Sequence, residues 1–162
     1  MIQSLMLLAG IIACELPKNA LPTNLERTPE LVIVASSDAS VASERLRRLI
    51  TEESTVKVRQ VASSKITKAD TLTVILCTKA TESDLAKVLA GKTQSAKVPP
   101  QGFLIQSDSS GNQIVVIGGD IDGLRYGVGE LWHHHTKLFR KSLAFSKNLR
   151  IIKSPVYSKR IF

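Results

Sequence analysis

The segment Val115–His135, VVIGGDIDGLRYGVGELWHHH, decides the fold. A β-branched run, Val115-Val116-Ile117, gives way to a helical pattern through a stretch holding five glycines and two aspartates. Glycine inside a helix costs about 1 kcal/mol relative to alanine, so Gly123, Gly127 and Gly129 need a physical reason. Leu124, Gly127, Val128, Leu131 and His135 follow i, i+3, i+4, i+7 spacing, which puts Gly127 on the buried face. A bare backbone there lets the helix lie close to a sheet with no Cβ holding it away. Asp120 or Asp122 is placed to cap free amides and to complement the positive end of the helix dipole. The segment predicts a strand, a tight turn and a helix from Asp120 or Ile121 to about Lys137.

Phosphate and calcium readings of the same glycines are poor. Gly118-Gly119-Asp120-Ile121-Asp122-Gly123 has the G-x-x-x-x-G outline but lacks the Lys-Ser/Thr of a phosphate loop, and it is not G-x-G-x-x-G. It does not continue into the further oxygen ligands and distal glutamate of a calcium loop. No cofactor and no metal is expected.

Outward from this segment, Gly102–Gln106 and Gln113–Ile117 form a hairpin across the turn-rich SDSSGN. Leu31–Ser36 and Thr71–Cys77 are apolar runs without polar alternation, as central strands require. Val56–Val61 alternates as a half-exposed strand. Between the first two strands, SDAS offers N-cap candidates for a helix with Ala39, Ala42, Leu46, Leu49 and Ile50 on one face and Arg45, Arg47, Arg48 and Glu52 largely outside it. Thr81–Gly91 predicts a short helix ending at Gly91. The expected fold class is α+β, a mixed sheet of about five strands with two principal helices packed on one side.

A length of 162 residues suits one domain with a sizeable core. Hydrophobic residues make up 43% and aromatics only 4%, so aliphatic side chains supply most of that core. Charge is unevenly placed. All fourteen acidic residues lie at or before Glu130, and eight of the 22 basic ones follow His135, so the whole net charge of +8 sits in the last thirty residues. Such asymmetry admits a nucleic-acid or anionic-surface contact, but no aromatic-interleaved basic motif or recognition helix accompanies it.

The first fourteen residues, MIQSLMLLAGIIAC, carry an apolar run too short to span a bilayer. It suits a secretory signal, although no Lys or Arg precedes it. Ile11-Ile12-Ala13-Cys14 resembles a bacterial lipobox, which makes Cys14 a candidate for lipidation and a lipid anchor the route to a membrane. An ordinary buried helix is the other reading. Residues 15–29, with Pro17, Pro22 and Pro29, read as a linker.

Other chemistry is thin. Two cysteines, Cys14 and Cys77, make no disulfide framework, and Cys77 reads as a small buried hydrophobe. His133, His134 and His135 cannot all face one ion while helical, because adjacent positions point about 100° apart. No Ser stands in G-x-S-x-G, and no catalytic residue can be assigned. Tyr126 is expected to pack at the helix start, and Trp132 to lie in the core or an interface.

The stretch from Gly102 to Leu131 resembles the small N-terminal, non-catalytic domain that precedes the barrel in bacterial α-glucuronidases and β-hexosaminidases. There a Gly-Phe-x-Ile strand is followed by Ile-x-Ile-x-Gly, a polar pair, Gly-Leu-x-Tyr-Gly-Val and a helix. Gly102-Phe103-Ile105, Ile117-Gly119 and Gly123-Leu124-Tyr126-Gly127-Val128 match, with Asp120 in the turn. The resemblance spans roughly residues 30–138. Pro155, Tyr157 and Arg160 stand where the family has its segment leading into the barrel.

The resemblance implies an accessory domain at 30–138, a basic connector at 139–162, and a catalytic (β/α)8 barrel as its partner in an exported bacterial glycoside hydrolase. The family's catalytic residues have nothing in this chain to map onto, since a glycosidase needs two suitably placed carboxyl groups or a substrate equivalent. Two alternatives stay open: a stand-alone polysaccharide-binding or envelope interaction module, and a nucleic-acid or anionic-surface binder acting through the basic tail.

Overall fold

The two unbroken apolar runs become the centre of the sheet. In a computed structural model describing residues 30–61, 71–85, 97–139 and 142–154, the chain opens with β1 (Glu30–Ala35), a 3-10 turn and α1 (Ser40–Glu53). Strands β2 (Lys57–Val61), β3 (Leu72–Thr78), β4 (Phe103–Ser107) and β5 (Gln113–Gly118) follow, then α2 (Ile121–His135), β6 (Thr136–Phe139), β7 (Ser142–Phe145) and β8 (Arg150–Lys153). The signal reading with Cys14, the proline linker, the helix end at Gly91 and the Pro155–Arg160 motif lie outside the described residues.

The main sheet has six strands in the order β2-β1-β3-β5-β4-β8. Strands β2, β1, β3 and β5 pair in parallel; β4 runs antiparallel to both β5 and β8. Strands β6 and β7 form a separate hairpin. The architecture is α+β with a mixed sheet, and both principal helices share one face of it. Leu46 and Ile50 of α1 and Leu124, Val128 and Leu131 of α2 join Leu31, Ile33, Val74, Leu76, Ile105 and Val116 in one cluster. The alternate residues Val32, Val34, Ile75, Cys77, Leu104, Val115 and Ile117 form a second cluster on the opposite face with Val98. Burial on both faces explains why β1 and β3 carry no polar alternation.

Four features depart from the sequence reading. The sixth strand, β8, comes from the segment read as connector, where Arg150–Lys153 adds to β4. Helix α2 ends at His135 instead of Lys137, because Thr136 turns extended and its hydroxyl donates to the Leu131 and Trp132 carbonyls at 2.7 and 3.0 Å. The SDAS stretch forms a 3-10 turn, Ser37–Ala39, and no side chain caps α1. Within Thr81–Gly91, residues Glu82–Leu85 form a 3-10 turn.

The β4–β5 turn is built by Asp108. Its carboxylate accepts from the amides of Gly111 at 2.7 Å and Gln113 at 3.2 Å and from the Ser110 hydroxyl at 2.6 Å. Gly111 supplies the positive φ of 77° that closes the turn.

Candidate functional site

The glycine-rich segment leaves β5 and enters α2 against the loop Pro99–Gly102. The Gly119 amide donates to the Gly102 carbonyl at 2.8 Å, and the Gly102 amide donates to the Pro99 carbonyl at 3.0 Å. Asp120 ties the two pieces together. One carboxylate oxygen accepts from the Gly123 amide at 2.8 Å, capping α2; the other accepts from the Gln101 amide at 2.8 Å. Gln101 reaches that position through a φ of 57°, an uncommon conformation for a residue with a side chain.

These contacts leave no room for Cβ atoms. A Cβ at Gly119 would stand 2.0 Å from the Pro99 carbonyl oxygen, and one at Gly123 would stand 2.1 Å from the Gly102 carbonyl oxygen. A Cβ at Gly118 would meet the Leu124 amide at 2.3 Å, and at Gly127 it would meet Val116 Cγ1 at 2.7 Å and Phe103 Cβ at 3.1 Å. Gly129 differs, with nothing within 4 Å of its Cβ position. The glycines at 118, 119, 123 and 127 therefore seat α2 on β4 and β5.

This geometry bears directly on anion binding. A helix N-terminus attracts anions because its first amides lack partners. Here Asp120 already supplies both the acceptor and the negative charge. The arrangement is a packing joint.

Among the residues singled out from sequence, Gly102, Phe103, Gly119, Asp120, Gly123, Leu124 and Gly127 meet at this joint. Leu124 is fully buried and Phe103 nearly so. Tyr126 does not join them. It is 47% exposed, because the buried stripe of α2 runs through Gly123, Leu124, Gly127, Val128, Leu131 and Trp132, and position 126 falls beside it. Trp132 is buried, with its indole N–H 3.4 Å from Glu53 of α1. His133 and His134 are exposed. Among the described residues, no group of three His, Cys, Asp or Glu side chains is placed to hold a metal.

Two polar clusters escaped the sequence reading. At the carboxyl ends of β1 and β3, the Asp38 carboxylate accepts hydrogen bonds from the hydroxyls of Ser36 at 2.5 Å, of Thr81 at 2.8 Å and of Thr78. Burial pushes the Asp38 carboxyl up, but the three hydroxyls outweigh it and hold the group below its ordinary range. Neighbouring Cys77 is buried, and burial, followed by the charges of Glu82 and Asp38, pushes its thiol up to about 12. A thiol so held stays protonated at neutral pH and is no nucleophile.

The second cluster joins α2 to β8. Lys153 Nζ donates to Glu130 Oε1 at 2.7 Å, and His135 Nε2 lies 3.3 Å from the same oxygen. Lys153, then His135, hold the Glu130 carboxyl below its ordinary value against the opposing effect of burial. Partners 23 residues apart in sequence leave no local spacing signal for such a contact.

No protein-family profile matches the chain, and no curated protein matches it significantly. Among solved structures, the chain is similar to a GH115 4-O-methyl-α-glucuronidase with specificity for decorated arabinogalactans: 18% identity, a TM-score of 0.52, and coverage of 79% of this chain and 18% of that one. It is also similar to a GH138 enzyme targeting pectin rhamnogalacturonan II, with 23% identity, a TM-score of 0.43, and coverage of 64% of this chain and 13% of that one. At these identities the likeness is one of fold. The chain spans less than a fifth of the length of either enzyme, so in both the similar portion is one part of a larger glycoside hydrolase.

Proposed function

We propose that this chain is the non-catalytic accessory domain of an exported bacterial glycoside hydrolase, bracing a catalytic (β/α)8 barrel. The observation that carries the reading is the fold match to one portion of the GH115 α-glucuronidase, over 79% of this chain. The joint around Gly123 and Gly127 agrees with it, because helix and sheet fill the space in which a ligand would sit. So does the chemistry of the described residues: Cys77 is inert and Asp38 is fully engaged by hydroxyls.

Reading the coding sequence on the 3′ side of the Phe162 codon tests the proposal. A barrel bearing suitably separated acidic residues is expected there or in a neighbouring frame. A gene neighbourhood without any glycosidase barrel overturns it. Export is tested separately. Metabolic labelling with palmitate is expected to mark the chain and to fail for Cys14→Ser, while an unlabelled, unprocessed N-terminus overturns the lipid-anchor reading.

A further inference from the structure

The outward side of the two helices carries a trough of about 760 Å³ between α1 and α2. Its α1 wall extends from Ser40 to Leu49, about 13 Å at 1.5 Å per residue. Three guanidinium groups line it, those of Arg45, Arg48 and Arg125, against the single carboxylate of Glu44. Glu44 is already engaged by Arg47, which donates to it twice at 2.5 and 2.8 Å. Arg45 makes no hydrogen bond or ion pair among the described residues. Arg48 lies 3.7 Å from Glu52 and Arg125 donates to Asp122 at 3.1 Å, in pairs whose side chains are all more than two-fifths exposed. Exposed pairs of this kind contribute about 0–1 kcal/mol, so an incoming anion competes for them easily. Val41, 55% exposed, and Leu49 supply the aliphatic part of the lining.

We propose that this trough binds an anionic polysaccharide chain, its carboxylate or sulfate groups seated on Arg45, Arg48 and Arg125. Guanidinium groups match such oxyanions in bidentate fashion, and Val41 and Leu49 offer apolar surface to a sugar ring. A protein partner fits less well. A standard interface buries about 800 Å² per side around a core depleted of charge, whereas here the charges line the trough itself. A single-stranded nucleic acid needs aromatic stacking platforms, and the lining residues include none. The proposal goes beyond the bracing role and does not depend on it.

Calorimetric titration of the full chain at low ionic strength tests it, with trigalacturonate, its methyl ester, a sulfated trisaccharide, hexaglutamate and hexathymidylate as probes. Trigalacturonate or the sulfated sugar is expected to bind, the two arms identifying the anion, and the neutral ester is expected to fail. The double variant R45Q/R125Q is expected to bind at least about tenfold more weakly, which is about 1.4 kcal/mol, with an unchanged circular dichroism spectrum. K147Q, on the basic segment away from the trough, is expected to bind as the parent does. Absence of binding by both anionic sugars overturns the proposal. So does equal weakening by K147Q, equal binding of the ester, or binding of hexaglutamate or hexathymidylate as tight as that of the sugars.

Discussion

Alanine at position 127 adds one methyl group where α2 lies against Val116 and Phe103 of the sheet. In isolation the change favours a helix by about 1 kcal/mol. In place, the new Cβ falls 2.7 Å from Val116 Cγ1 and 3.1 and 3.2 Å from Phe103 Cβ and Cγ, where about 4 Å is comfortable. Val116 cannot swing clear, because a β-branched side chain on a strand is stiff at χ1 and this one is fully buried. The helix must instead back off by roughly 1 Å, loosening Leu124, Val128 and Leu131 together, and overpacking of this sort costs about 1–3 kcal/mol. Gly129→Ala is the internal control, since it carries the same propensity gain with nothing within 4 Å of the new atom. The propensity term cancels between the two variants, leaving Gly127→Ala less stable than Gly129→Ala by about 2 kcal/mol. With a urea m-value of about 2 kcal/mol per M, the midpoints separate by about 1 M in equilibrium unfolding followed by circular dichroism. Coincident midpoints would refute the close-packing argument.

Three further outcomes follow from the same contacts. Asp120→Ala removes the α2 cap and leaves the Gln101 amide without its acceptor, so thermal unfolding should show a loss of about 1–2 kcal/mol. The depressed carboxyl of Glu130 stabilises the fold above its unfolded-state value, and that contribution disappears as pH falls through the lower folded-state value. Glu130→Gln should therefore flatten the acid limb of the stability–pH curve, and an unchanged limb would exclude the α2–β8 bridge as its source. In a Cys14→Ser chain, Cys77, with its thiol raised to about 12, should react with a thiol reagent at pH 8 only on unfolding, and rapid labelling of that native chain would contradict its burial.

The reach of the sequence varied with the range of the interaction. Strands β1 and β3 were legible because burial on both faces forbids polar residues along the whole run. The helix seat was legible because glycine on an apolar stripe sacrifices helix propensity, which a close approach to the sheet offsets, and Gly127 lies against Phe103 and Val116. Gly129 belongs to the same cluster of glycines, yet a Cβ there would meet nothing within 4 Å, since only the neighbouring surface distinguishes the two. Tyr126 was misplaced because a position beside the stripe shifts from core to surface with a small rotation of the helix. The ends of elements were lost to single side chains: Thr136 ends α2 with a hydroxyl bonded to two carbonyls, and Asp38 turns from helix cap to the centre of a hydroxyl cluster. Strand β8 had no local signature, because Arg150-Ile151-Ile152-Lys153 becomes a strand by lying against β4.

That last strand has a practical bearing on any attempt to dissect the molecule. It covers the outer flank of β4, with Phe103 opposite Lys153 and Ile105 opposite Ile151. A fragment cut just after α2, where residue pattern alone suggests a natural stopping place, would leave the amides and carbonyls of Phe103 and Ile105, which point away from β5, bare along an apolar margin. Such margins recruit other chains. The shortened product should precipitate or self-associate, whereas one retaining residues up to Ser154 should remain dispersed.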